Sequence, residues 1–102
     1  MFQEADVVAV ILWLAEYYGA QAEIAAKCSR RIELLCQGIG SEANCEAAVN
    51  AGGCSAVMAA LSLHSDDAAV RDTGRAALRA IASGGAAFRS AALAAGAAND
   101  WL

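Results

Sequence analysis

The residues most able to do chemistry lie in one polar loop, where His64 and Ser65 precede Asp66 and Asp67. Serine, histidine and aspartate are the members of a hydrolytic triad. Such triads are assembled from separate segments by tertiary geometry, and adjacent residues do not reproduce their arrangement. Polar residues directly before an apolar helical stretch are instead typical of a helix cap, because their oxygens accept hydrogen bonds from free backbone N–H groups. We therefore expect a cap here, and we do not expect an enzyme.

Four cysteines could in principle hold a metal or form disulfides, namely Cys28, Cys36, Cys45 and Cys54. No two of them form a C-x-x-C pair, and His64 is the one histidine of the chain, so we do not expect a zinc site. We interpret the four as buried free thiols of a protein in a reducing compartment. The sequence thus predicts an intracellular, cytoplasmic protein without a metal or another cofactor.

Arg71, Arg75 and Arg79 recur at every fourth residue, which places them along one flank of a helix. One interpretation is a basic strip that binds an acidic partner segment. The simpler one, which we favour, is a solvated face with local ion pairs such as Asp67 with Arg71. The formal net charge of −4 argues against nucleic acid as the main partner.

The elements that position these residues are predicted to be helices. Alanine, the best helix former, is the commonest residue, and proline is absent. The 102 residues suffice for one small domain, and the 59% hydrophobic content excludes a disordered polar tail. The longest apolar run, 7–14, is too short to span a bilayer, so we expect no membrane insertion.

One segment occurs twice, about 45 residues apart: AAVNAGG at 47–53 returns as AALAAGA at 91–97. The residues upstream of the two copies also match in pairs: Ile24 with Val70, Ile32 with Leu78, Leu35 with Ile81, and Gly38 with Gly84. A repeat of this length predicts stacked helical units rather than one independent globule.

Three kinds of helix recur in order within this repeat. A first helix over 42–51 ends at Gly52-Gly53, a second covers 55–63, and a long third covers 67–82. The apolar face of the third helix follows helical spacing: Val70, Gly74, Ala77, Leu78 and Ile81.

The same helices are predicted on both sides of this unit. Residues 7–17 match the second helix and residues 21–37 the third, and 87–95 form another first helix before a last short helix begins at residue 99. The predicted core face of the helix over 21–37 is Ile24, Cys28, Ile32 and Leu35. We therefore divide a single domain, 1–102, into three parts: a partial repeat 1–40, a full repeat 41–85 and the start of a third repeat 86–102.

Four segments of the chain, NCEAAVNAGG at 44–53, VMAAL at 57–61, DDAAVR at 66–71 and RAALRAIASG at 75–84, together resemble the armadillo repeat. They look like its opening N-x-x-A-I-x-x-A-G-G-I-x-x-L-V-x-L-L and its close A-L-x-N-L-A. HEAT repeats, which stack helix pairs, are the nearest alternative, but the separate short helix before Gly52 favours armadillo. The resemblance implies an all-α, right-handed α-solenoid fragment.

The resemblance also implies a protein–protein interaction or scaffold module that binds a partner segment on the concave surface of its third helices. The candidate site residues on that surface are Lys27, Arg30, Leu34, Thr73, Ala76, Arg79 and Ala80. Peptide-binding members carry a tryptophan and an asparagine on this helix. Here those positions hold Arg30 and Leu34, then Ala76 and Ala80, so a nuclear-import-type grip on a basic peptide is not expected.

Both ends of the predicted stack are apolar rather than polar. One end contains the apolar residues Phe2, Val7, Val8 and Trp13, and the other end contains residues 101–102. Since solenoids need polar caps, we expect either a longer array or a homo-oligomer through uncapped ends. Two alternatives to partner binding therefore stay open: a structural self-associating piece, and a regulatory adaptor domain of a larger protein.

Overall fold

The computed structural model describes Ala9 and residues 22–37 and 41–102. Within these ranges the chain forms five α-helices and one 3-10 turn, and none of these residues is in a β-strand. The elements are α1 (Ala22–Leu35), α2 (Ser41–Asn50), α3 (Gly53–Leu63), α4 (Ala68–Ala82), α5 (Ala86–Ala94) and the 3-10 turn Asn99–Trp101. The prediction of an all-helical protein is therefore confirmed for this part of the chain. The predicted helix over 7–17, the apolar N-terminal end and the glycine stop at 38–40 lie outside the described residues.

The ends of the predicted helices agree with the observed ends to within two residues. The polar loop forms the predicted helix cap. At the start of α4, the Asp67 carboxylate accepts a hydrogen bond of 3.1 Å from the Val70 backbone N–H. The glycine turn between α2 and α3 also forms as predicted. Gly52 adopts a left-handed backbone with φ of 82°, which L side chains rarely tolerate.

The core lies where α1, α3 and α4 meet, and its largest fully buried side chains are aliphatic. The predicted apolar face of α4 is entirely buried. On α1, Cys28, Ile32 and Leu35 are buried as predicted, whereas Ile24 is half-buried at the edge of the core. Periodicity identified these faces because side chains three and four residues apart lie on one side of a helix.

Two local contacts set how closely the helices approach. At Gly74 an added Cβ would lie 2.7 Å from Leu61 Cδ2, so α3 and α4 cross where α4 lacks a side chain. The buried Asn44 amide donates a hydrogen bond of 2.6 Å to the Leu35 carbonyl. This bond joins α2 to the C-terminal end of α1, where carbonyl groups lack partners within the helix. No single helix in the described ranges is long and apolar enough to cross a membrane, and α2 and α3 together reach that length only across a bend of 69°.

Candidate functional site

The most extensive helix–helix contact in the described ranges joins α1 to α4. A groove of about 310 Å³ follows this contact at the C-terminal ends of both helices. Because the contact between α1 and α4 is extensive and their C-terminal ends line one groove, we infer that the two helices lie side by side in the same direction. The residues that line the groove are Glu33, Gln37, Ala76, Arg79, Ala80 and Ser83.

The predicted site residues of α1 lie on its exposed side. Lys27 forms an ion pair of 3.1 Å with Glu23, and both side chains are about three-quarters exposed, so this pair adds little stability. Arg30 is exposed, and Leu34 leaves 45% of its surface open to solvent. These side chains form the outer rim of α1 rather than the floor of the groove.

The predicted site residues of α4 have more varied surroundings. The Thr73 hydroxyl lies 2.7 Å from the Ala69 carbonyl, one turn back along the helix, and donates to it. Ala76 is half-buried and Ala80 is buried, so these two small residues form the floor of the groove. Arg79 is exposed at its edge, and its Nε donates to the Trp101 carbonyl over 2.9 Å.

The structure thus brings Ala76, Arg79 and Ala80 together in one groove, while Lys27, Arg30, Leu34 and Thr73 lie outside its lining. The sequence prediction missed Glu33, Gln37 and Ser83. A signal for two of them existed, because Glu33 and Gln37 follow Arg30 by three and seven residues, a helical spacing that places them near its side of α1.

Trp101 makes a second contact with α4 that sequence spacing did not indicate. The Arg75 guanidinium lies over the Trp101 ring, 4.8 Å from its centroid. This is a cation–π distance, and such pairs contribute about 0.5–1 kcal/mol when exposed. The arginine flank is therefore not only a solvated face, because Arg75 and Arg79 both bind the C-terminal turn.

The four cysteines are buried and free, as predicted. The Cys45 thiol lies 3.8 Å from the Cys36 carbonyl oxygen and 3.7 Å from the Ala80 carbonyl oxygen, within reach of a weak S–H hydrogen bond. Burial raises the pKa of all four thiols and brings that of Cys54 to about 11. Since the thiolate is the nucleophile and the metal ligand, these groups are poorly suited to either role at neutral pH.

Metal-ligating side chains do not converge in the part of the chain that the structure describes: no group of three or more histidine, cysteine or acidic residues could hold an ion. The Asp67 carboxylate of the polar loop is engaged in the helix cap. The sequence matches no family model, and it shows no significant similarity to a curated protein or to a solved structure.

Proposed function

We propose that this chain is a protein-interaction module made of armadillo-like helical units, and that it binds a partner segment along the α1–α4 groove. The observation that carries the proposal is the side-by-side, same-direction packing of α1 and α4. In a solenoid of three-helix units, the third helices of successive units pack in this way and form one continuous surface.

The register of the two helices supports the same arrangement. Glu33 and Gln37 lie 46 residues before Arg79 and Ser83, and all four line one groove. The same offset relates buried Ile32 to buried Leu78 in the sequence repeat. A stack in which each unit repeats its predecessor would place matching residues side by side in this way.

The groove has the chemistry of a surface for a peptide. Its floor is formed by the small side chains of Ala76 and Ala80, which allow a partner backbone to approach closely. Glu33, Gln37 and Ser83 supply hydrogen-bonding groups along its edges. An extended or helical segment could bury apolar side chains on this floor and satisfy its own polar groups at the edges.

Self-association is the second candidate, and the exposure of α5 favours it. Ala92 is the one residue of α5 that is buried, and Leu93 remains 39% exposed. A further unit, from a second copy or from a longer array, would cover this helix as each unit covers the previous one. Either candidate fits the reducing, cytoplasmic compartment that the four free thiols favour.

The groove is tested by filling it. Ala76→Trp places an indole on the floor of the groove, whereas Ala87→Trp places the same side chain on the exposed surface of α5. Partners captured by the natural chain are identified, purified and titrated against both variants. We expect Ala76→Trp to abolish binding and Ala87→Trp to preserve it. Equal binding by all three proteins would refute the groove as the site.

Self-association is tested separately by light scattering over a concentration series. We expect the apparent mass to rise with concentration if α5 forms an interface, and Leu93→Asp to suppress that rise. A constant monomer mass for the natural chain at every concentration would exclude this candidate.

A further inference from the structure

A second pocket lies between α3, α4 and the C-terminal turn. Its volume is about 230 Å³. This exceeds the roughly 150 Å³ of an apolar cavity that holds a benzene ring, so the pocket accommodates a side chain of moderate size. Met58 and Leu61 supply its apolar wall. This pocket shares no lining residue with the groove between α1 and α4.

Two arginines provide the charge of this pocket. Arg71 and Arg75 lie one helical turn apart on α4 and both line it. Trp101, which also lines the pocket, holds the Arg75 guanidinium at 4.8 Å from its ring centroid. A guanidinium held over an aromatic ring loses less conformational freedom when it binds an anion, and the planar fork suits carboxylate and phosphate oxygens.

One donor of Arg75 has no hydrogen-bond partner. Its Nε is buried, and no described residue accepts a hydrogen bond from it. A buried donor without a partner costs free energy, and a ligand oxygen that reached it through a shift of the Arg75 side chain would recover that cost. Two serine hydroxyls, of Ser62 and Ser65, add neutral donors at the rim.

The charge around the pocket differs from that of the whole chain. The chain carries eleven acidic and seven basic residues. Two of those seven, Arg71 and Arg75, line this pocket, and Arg79 lies one helical turn beyond Arg75 at the edge of the groove. The acidic residues nearest in sequence are Asp67, which is engaged in the cap of α4, and Asp72, which is exposed on α4 beside Arg71. Among the described residues, none of the side chains that line the pocket is acidic, so its lining is positively charged on an acidic protein.

We propose that this pocket binds the oxyanion of an acidic peptide side chain, either a carboxylate or a phosphate monoester. The oxygens accept hydrogen bonds from Arg71 and Arg75, and the carbon atoms of the ligand side chain lie against Met58 and Leu61. A carboxylate and a phosphate monoester both offer oxygens that accept hydrogen bonds, but they differ in charge. The experiment therefore compares one peptide of each kind.

The test is an NMR titration of the arginine side-chain Nε–Hε resonances. Three short peptides that differ at one central residue are used: glutamate, phosphoserine, and glutamine as the uncharged analogue. We expect saturable shifts at Arg75 and Arg71 with at least one of the two acidic peptides and none with glutamine. The acidic peptide that binds with the lower dissociation constant shows whether the pocket prefers a carboxylate or a phosphate monoester.

Two variants of equal net charge locate the site. Arg75→Gln should raise the dissociation constant about tenfold or more, because it removes a charge-assisted hydrogen bond to the ligand oxyanion. Arg89→Gln on α5, outside the pocket, should leave it unchanged. Circular dichroism confirms that both variants remain folded.

Three results would overturn the proposal: no saturable shift with either acidic peptide at millimolar concentration, equal shifts with the glutamine peptide, or equal weakening by the two variants. Loss of binding on Trp101→Leu, with a smaller effect of Trp101→Phe, would further support the stacked guanidinium. Groove variants such as Ala76→Trp leave this pocket intact. A negative result for oxyanion binding in the pocket can therefore be distinguished from a negative result for partner binding in the groove.

Discussion

Raising the pH should destabilise this protein through its buried thiols, and Cys54 allows the effect to be worked out. Its side chain is 5% exposed, and burial raises its pKa from 9.0 to about 11, with a smaller contribution from nearby Cys45. A thiol with a raised pKa in the folded state favours folding fully below pH 9.0. That contribution is lost as the pH rises from 9.0 towards about 11.

The magnitude follows from the size of the shift. Each pKa unit corresponds to about 1.4 kcal/mol, so the complete loss from Cys54 is about 3 kcal/mol. At about pH 10 the unfolded thiol is mostly ionised and the folded one is not, so the loss of stability there is roughly 1–2 kcal/mol. A domain of this size has a free energy of unfolding of about 5–15 kcal/mol, so this loss is measurable.

The assay is urea unfolding, followed by circular dichroism under reducing conditions, at neutral pH and at about pH 10. The natural chain is compared with Cys54→Ala, which lacks the titrating group, and with Ser55→Ala at the exposed neighbouring position. The variant Cys54→Ala should lose roughly 1–2 kcal/mol less stability between the two pH values than the natural chain does. Ser55→Ala should show the pH dependence of the natural chain.

The comparison of variants cancels the titration of groups that all three proteins share. If Cys54→Ala and the natural chain lose equal stability between the two pH values, the Cys54 thiol is not desolvated and the packing around it is wrong. A second readout is alkylation of the thiols, which should be slow in the folded protein at neutral pH and fast in urea.

Three further predictions concern the core and the helix ends, and each is measured by chemical or thermal unfolding. Leu78→Ala, at a fully buried core position, should cost about 2–5 kcal/mol; a loss no larger than that of Leu63→Ala, at a 54% exposed position, would contradict the packing of α4. Asp67→Ala should cost about 1 kcal/mol by removing the cap of α4; Asp66→Ala, its exposed neighbour, should be nearly neutral, and equal effects would exclude the cap. Gly52→Ala should cost about 1–2 kcal/mol, because φ is 82° there and no neighbouring atom would contact the added Cβ; an unchanged melting temperature would show that the turn adopts another backbone.

Much of the local structure was predictable from the sequence alone. The α4 face from Val70 to Ile81, the Asp67 cap and the Gly52 turn are each encoded within a few neighbouring residues. Helical periodicity, capping and left-handed glycine depend on the local backbone, so reading along the chain is enough to find them. The burial of the four thiols was also predictable, because cysteines that lack metal spacing are among the most buried residue types.

The two pockets were decided by tertiary structure. Glu33 reaches the groove only because α1 packs against α4 in one direction and register, and no pattern within α1 specifies that partner. Trp101 accepts a hydrogen bond from Arg79, 22 residues earlier in the chain, and its ring stacks with the Arg75 guanidinium. Both contacts depend on where the chain runs after α5. Local residue patterns therefore specify which helices form and which faces they bury. The crossing and register of those helices arise from packing between residues that are distant in the sequence. This packing decides which side chains line the groove and which residues the arginines contact.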